Sequence, residues 1–294
     1  MTTLVTSQSQ SLERIIRPNR AWFRIDWAGL LHYRDLLYLL VRRDFVARYQ
    51  QTILGPSWFV LQPLIMTLAF TMIFSRVLGT PTDGIPPFLF YQCGMLGWTY
   101  FANVLSSTGN TFGSNAGIFT KVYFPRLIIP LALAISSCIP FAIQLVTFLA
   151  MLAYNVVIGR VVVTWPHVAT ALAVMPLIVF HTAILALGVG LLMAAVTAKY
   201  RDFQHLTGFV VQLWMYASPV IYPFSRIEHR FPGMAWIAAL NPMSAVIENV
   251  RALFFGSPFM PLPFLALSIG AAVTVFVVGV LVYQRTARTF VDTV

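Results

Sequence analysis

Six stretches of this chain carry no charged residue, and each is long: 49–75, 84–120, 127–159, 161–198, 203–225 and 252–284. A helix needs about 20 residues to cross about 30 Å of hydrocarbon, and every one of the six supplies that. A water-soluble domain scatters Lys, Arg, Asp and Glu through such lengths. Here charged residues make up 10% of the chain and hydrophobic ones 59%, the balance of a polytopic membrane protein. The sequence therefore predicts an all-α polytopic membrane protein with six transmembrane helices.

Orientation follows from the basic residues. With both termini cytoplasmic, segments 1–54, 111–126, 198–205 and 284–294 lie inside and hold fourteen of the nineteen Lys and Arg. Arg76, Arg160, Arg226, Arg230 and Arg251 fall outside. This is a positive-inside bias. The net charge of +10 then reads as topology and attraction to anionic membrane lipids, not as a nucleic-acid footprint. Met1–Gln10 is polar and no short apolar core with a cleavage site follows, so the first span is expected to serve as the insertion signal. Cys93 and Cys138 both sit in apolar spans and read as small buried hydrophobes, not as a disulfide or zinc framework.

Along the chain, 1–26 is a polar cytoplasmic tail. From Trp27 to Tyr49 the pattern is helical: Leu30, Tyr33, Leu36, Leu37, Leu40 and Val41 share one side, and Arg34, Asp35, Tyr38 and Arg42 the other. Such an amphipathic interface helix is expected to lie at the inner membrane face, with its connector ending at Leu54. The transmembrane domain is expected over 55–284, with spans near 57–74, 88–104, 127–157, 167–195, 208–222 and 262–283, then a cytoplasmic tail at 285–294. Pro63 should kink or break the first span. The segment 224–250 is apolar but split at Pro232-Gly233 and Asn241-Pro242, and each piece is too short to cross. It reads as a re-entrant outer hairpin between spans five and six.

Several chemistries are excluded. No glycine is followed by Lys, so there is no GxxxxGK[ST] phosphate loop and no means of hydrolysing ATP by that cradle. An ion-driven carrier places carboxylates in its spans; only His181 lies mid-span, and it reads as a hydrogen-bonded interior His. The scattered histidines offer no metal cluster. A chain that crosses the membrane without its own energy source points to a partner that supplies energy. Two short basic inside segments, Asn115–Arg126 and Ala198–Leu206, are the natural docking points. Topology alone explains their charge, but not the aromatics Phe119, Tyr123, Phe124, Tyr200 and Phe203.

The runs RRDFVARYQQTILGPSWFVLQP (42–63), IFTKVYFPRLIIP (118–130), YRDF (200–203) and SPVIYP with NPMSAVIENVR (218–223, 241–251) together resemble the ABC-2-type permeases of polysaccharide export, the membrane subunits of O-antigen, capsule and teichoic-acid exporters. The similarity covers roughly 30–285 in one collinear order. It implies a homodimer around a central channel with two nucleotide-binding ATPase subunits beneath. ATP and Mg would bind the partner subunit, and this chain would bind no cofactor or metal and have no catalytic residue. Coupling to the ATPase would fall to Phe119, Lys121, Tyr123, Arg126, Tyr200, Arg201 and Asp202, and the segment 224–250 would be the outer gate.

The cargo so implied, an undecaprenyl-linked polysaccharide, presents a pyrophosphate at the inner face. Arg42, Arg43 and Arg48 offer charge and fork geometry for it. A sliding glycan suits a channel lined by rings, for which Trp58, Phe59, Phe70, Tyr91, Trp98, Tyr100, Trp214, Tyr216 and Tyr222 are candidates; anchoring in the membrane-interface belt also suits them. A permease for smaller lipids or drugs is the rival within the class. A membrane-bound glycan polymerase would need an aqueous cluster, for which Arg226, Glu228, Arg230, Glu248 and Arg251 are the outer candidates.

Overall fold

The computed structural model describes residues 27–49, 55–119, 124–200, 202–230, 233 and 235–290, and among these it is helical with no strand. α1 (Trp27–His32) and α2 (Arg34–Tyr49) precede a short 3₁₀ turn at Gly55–Ser57 and α3 (Trp58–Phe70), which continues as a π-helical stretch over Thr71–Val77. Then come α4 (Pro87–Gly109), α5 (Thr111–Phe119), α6 (Ile128–Ser136), α7 (Cys138–Val157) and α8 (Trp165–Lys199). The chain closes with α9 (Phe203–Ala217), α10 (Phe224–Arg230), α11 (Ala235–Leu240), α12 (Pro242–Phe255) and α13 (Leu262–Phe290).

Among the described residues four helical segments are long and apolar enough to cross a membrane: Trp58–Val77, Ile128–Val157, Trp165–Lys199 and Leu262–Arg288. The protein is thus an all-α, multi-pass membrane chain. The two remaining predicted spans differ in kind. α4 has 23 residues, but Gln92, Thr99, Asn103, Ser106, Ser107 and Thr108 dilute its hydropathy. It is the central helix, packed by α3, α6, α7, α8, α9 and α12, and a helix wrapped in protein need not be oily. α9 has only 15 residues, about 22 Å at 1.5 Å per residue.

Glycines let the long helices meet. Gly188 and Gly190 stand two positions apart, about 200° around α8, and so serve opposite neighbours. A Cβ on Gly188 would lie 2.6 Å from the Phe276 amide of α13, and one on Gly279 would strike the Gly188 carbonyl. A Cβ on Gly190 would lie 2.7 Å from Thr108 Cβ of α4. Where lipid replaces water, such close backbone approach is a main source of helix association.

Several expectations are corrected. α3 runs continuously through Pro63; the irregularity comes further on, as the π-helical Thr71–Val77. The third predicted span, 127–157, stands as one apolar segment, Ile128–Val157, with an irregularity at Ser137 between α6 and α7. α13 continues to Phe290, so the predicted tail at 285 begins as helix, with Ala287 buried. The side of α1 and α2 that carries Leu30, Tyr33, Leu36, Leu37, Leu40 and Val41 packs into an apolar cluster with Ile128, Ile129, Val280 and Tyr283. Leu40 is buried there and the others are half-buried. The tail 1–26, the connector to Leu54 and the break at Pro232 lie outside the described residues.

Candidate functional site

One end of the molecule is built from α2, α5 and the turn between α8 and α9. Thr197, in the last turn of α8, donates its hydroxyl to Gly109 O at the end of α4 (2.8 Å). Gly113 of α5 leaves room for Gln204 of α9, whose Nε2 would stand 2.7 Å from a Cβ there. Gln204, within the second predicted docking segment, therefore packs against α5 just ahead of the first, which begins at Asn115. α2 joins them: Arg43 Nη2 donates to Asn115 Oδ1 (3.2 Å), while the same guanidinium holds Asp44 at 2.8 Å. Asn115 sits at a kink in α5, with φ −123° and ψ 16°, and its amide returns a bond to Thr111 O (3.2 Å).

The predicted coupling residues distribute around this end. Phe119 closes α5. Lys121, Tyr123 and Arg201 lie outside the described residues. The Arg126 carbonyl accepts from the Tyr283 hydroxyl (3.3 Å), and Tyr283 stacks on Phe112 at 4.9 Å. Tyr200 is exposed with the Lys199 ammonium 5.1 Å above its ring, and Asp202 and Phe203 follow at the exposed start of α9. Phe124 departs from the docking reading, because it is buried in the cluster beneath; the core accounts for that aromatic.

Of the three arginines proposed for the pyrophosphate, Arg42 is exposed, Arg43 bonds Asp44 and Asn115, and the Arg48 side chain is not among the described ones. The nine channel candidates divide by burial. Phe70, Tyr91, Trp98 and Tyr100 are buried in the core of the single chain. They pack edge to face, Phe70 on Tyr91 at 6.3 Å and Tyr100 on Phe141 at 5.6 Å. Trp58 and Tyr216 are exposed, and Phe59, Trp214 and Tyr222 are half-buried.

The opposite end holds a site that the sign of the charges concealed. Arg251, predicted outside, is 1% exposed within α12. Its guanidinium pairs with Glu248 (2.9 Å), donates to Val220 O (3.0 Å) and lies 3.6 Å from the centre of the Phe90 ring. Glu248 also accepts from the Phe224 amide (3.0 Å). Gly94 of α4 makes room, since a Cβ there would be 2.8 Å from Arg251 Nη2. A buried arginine survives only when so satisfied, and the E-x-x-R spacing on an otherwise apolar helix was its sequence signal. Asn241 caps α12, accepting from the Met243 amide (3.1 Å) and the Trp214 indole (2.9 Å), with Pro242 in the first turn where its missing N–H costs nothing. Glu248 and Arg251 thus leave the aqueous cluster a polymerase would need. Among the described residues no His, Cys, Asp and Glu gather as a metal site.

Comparison with known proteins agrees with this architecture. The sequence model of the family described as ABC-2 type transporter matches residues 35–255. The chain is 29% identical over 228 residues to the O-antigen export system permease protein RfbA of Myxococcus xanthus, covering 77% of this chain and 82% of that one. It is 28% identical over 222 residues to a Klebsiella pneumoniae protein of the same name, 75% and 80% covered. To the capsule polysaccharide export inner-membrane protein CtrC of Neisseria meningitidis serogroup B it is 23% identical over 233 residues, covering 79% and 83%.

Proposed function

The chain belongs to the ABC-2 type transporter family, and we propose that it is the membrane subunit of an exporter carrying a lipid-linked polysaccharide across the inner membrane. The observation that carries this is the likeness to O-antigen and capsule export permeases over most of both lengths. It is a transport subunit and not a catalyst on its own.

Two copies enclose the path, and two ATPase subunits, holding ATP and Mg, dock on the end formed by α2, α5 and the α8–α9 turn. That end is cytoplasmic, in keeping with the basic residues there. α4 is a span sheathed by protein, α9 with the turn after it is a short fifth span, and α10–α12 dip in from the outer face. Nucleotide-driven movement of the ATPase pushes α5 and Tyr200–Asp202. The Arg43–Asn115 bond carries the push to α2, and Thr197 carries it to the α4 end. Arg42 and Arg48, with Arg43 when it releases Asn115, receive the undecaprenyl pyrophosphate. Trp58, Phe59, Trp214, Tyr216 and Tyr222 remain as the rings a glycan can slide along.

Deleting the gene and restoring it on a plasmid tests the substrate class. Loss of surface polysaccharide with lipid-linked polymer trapped inside supports the reading; normal surface polymer overturns it, and a changed drug or small-lipid efflux alone would favour a smaller cargo.

A further inference from the structure

Asn241 uses every hydrogen bond that an asparagine side chain can make. Its Oδ1 accepts from the Trp214 indole (2.9 Å) and the Met243 amide (3.1 Å). Its Nδ2 donates to Ser218 Oγ (2.8 Å) and Ala217 O (3.3 Å). The indole and the backbone amide only donate, and a carbonyl only accepts, so the side-chain amide has one possible orientation. Ser218 closes the ring, since its hydroxyl donates to Trp214 O (2.8 Å). The network ties the outer end of α9 to the start of α12, with Asn241 standing 27 positions beyond Trp214.

A polar network in which each member is satisfied holds one geometry, and this one holds an aromatic ring. Trp214 lies edge to face on the buried Phe101 of α4 (5.1 Å), and part of its surface stays exposed. Nearby, the Tyr222 hydroxyl donates to the same Ala217 carbonyl (3.1 Å). Both rings thus spend their one donor on the protein and have no N–H or O–H left to offer. That suits a cargo that must slide. Ring faces take the C–H surface of a sugar at many nearly equal positions. A free indole N–H would instead catch one hydroxyl at a time and hold the polymer at each stop.

We infer that Asn241 is a positioning residue for export: it keeps the Trp214 ring in one orientation with its N–H occupied, so that a passing glycan meets the ring by its face alone. This role rests on the polysaccharide-permease reading. Capping α12 is the role that Asn241 would have in any helix, and the test separates the two. The whole complex, with its ATPase, is reconstituted in liposomes with lipid-linked polysaccharide from the source cells on the ATPase side, and polymer moved per ATP hydrolysed is measured. Asn241→Ser keeps a cap but is too short to reach the indole. It should lower the ratio about fivefold, the reach of one neutral hydrogen bond. Trp214→Phe keeps a ring face and has no N–H to restrain, so it should stay within about twofold of wild type. Adding Asn241→Ser to Trp214→Phe should then cost little more. No loss from Asn241→Ser, or equal losses in both backgrounds, would overturn the inference and leave Asn241 a cap. So would Trp214→Phe as impaired as Trp214→Ala, a comparison that leaves the α12 cap intact and decides the matter should Asn241→Ser fail to insert. Wild-type complex that moves no polysaccharide would instead overturn the underlying reading, and this role with it.

Discussion

Arg251 holds Glu248 at 2.9 Å one turn back on α12, inside the apolar body of the chain. Removing one partner strands the other's charge, at a cost of about 3–5 kcal/mol, whereas replacing both with apolar residues of similar volume is often neutral. Arg251→Met and Glu248→Leu should each lower the thermal midpoint of the purified complex, and the double variant should recover most of the loss. A double variant as unstable as the sum of the singles would mean that the contacts to Val220 O and the Phe90 ring dominate instead.

The glycines of α8 and α13 give a comparison within one helix. Gly279→Ala drives a methyl into the Gly188 carbonyl, while Gly270, also on α13, has nothing within 4 Å of a Cβ. Gly279→Ala should destabilise by at least about 1–3 kcal/mol, and Gly270→Ala should stay within about 0.5 kcal/mol. Thermal unfolding of the two purified variants measures both.

Arg43→Ala and Asn115→Ala break the same bond between α2 and α5, so their effects on stimulated ATPase activity should match and not add. Because the Arg43 side chain is 41% exposed, the stability change should be small, under about 1 kcal/mol. Additive losses would mean that the two residues act separately.

Replacing Tyr200, Arg201 and Asp202 with Ala should leave the protein inserted and the ATPase bound but unresponsive, with export lost. Export at the wild-type level, scored as surface polymer, would remove this turn from the coupling route.

Neutralising Arg42, Arg43 and Arg48 together should trap lipid-linked polymer on the inner side. Radiolabelled sugar chased to the cell surface measures it; an unchanged chase would place pyrophosphate recognition elsewhere.

What the sequence disclosed depended on whether a periodicity carried the information. The α1–α2 face was legible because Leu30, Tyr33, Leu36, Leu37 and Leu40 recur at helical spacing, and those residues pack together. What they pack on was not legible, since protein and lipid are equally apolar partners. α4 is buried nearly all round, with Leu89, Tyr91, Cys93 and Trp98 all inside, so no stripe distinguishes channel rings from core rings. The burial of Arg251 was not legible, because a rule based on charge sign cannot see a partner three residues away that allows it. Arg43 and Asn115 stand 72 positions apart, and only the folded chain reveals that bond.

Reconstitution in liposomes tests the central claim most directly: the purified chain alone, then with its ATPase partner, is given lipid-linked polysaccharide on the side holding the ATPase. The account predicts no movement by the chain alone under any ion gradient, and movement on adding partner, ATP and Mg. Transport by the chain alone on a proton or sodium gradient would contradict it.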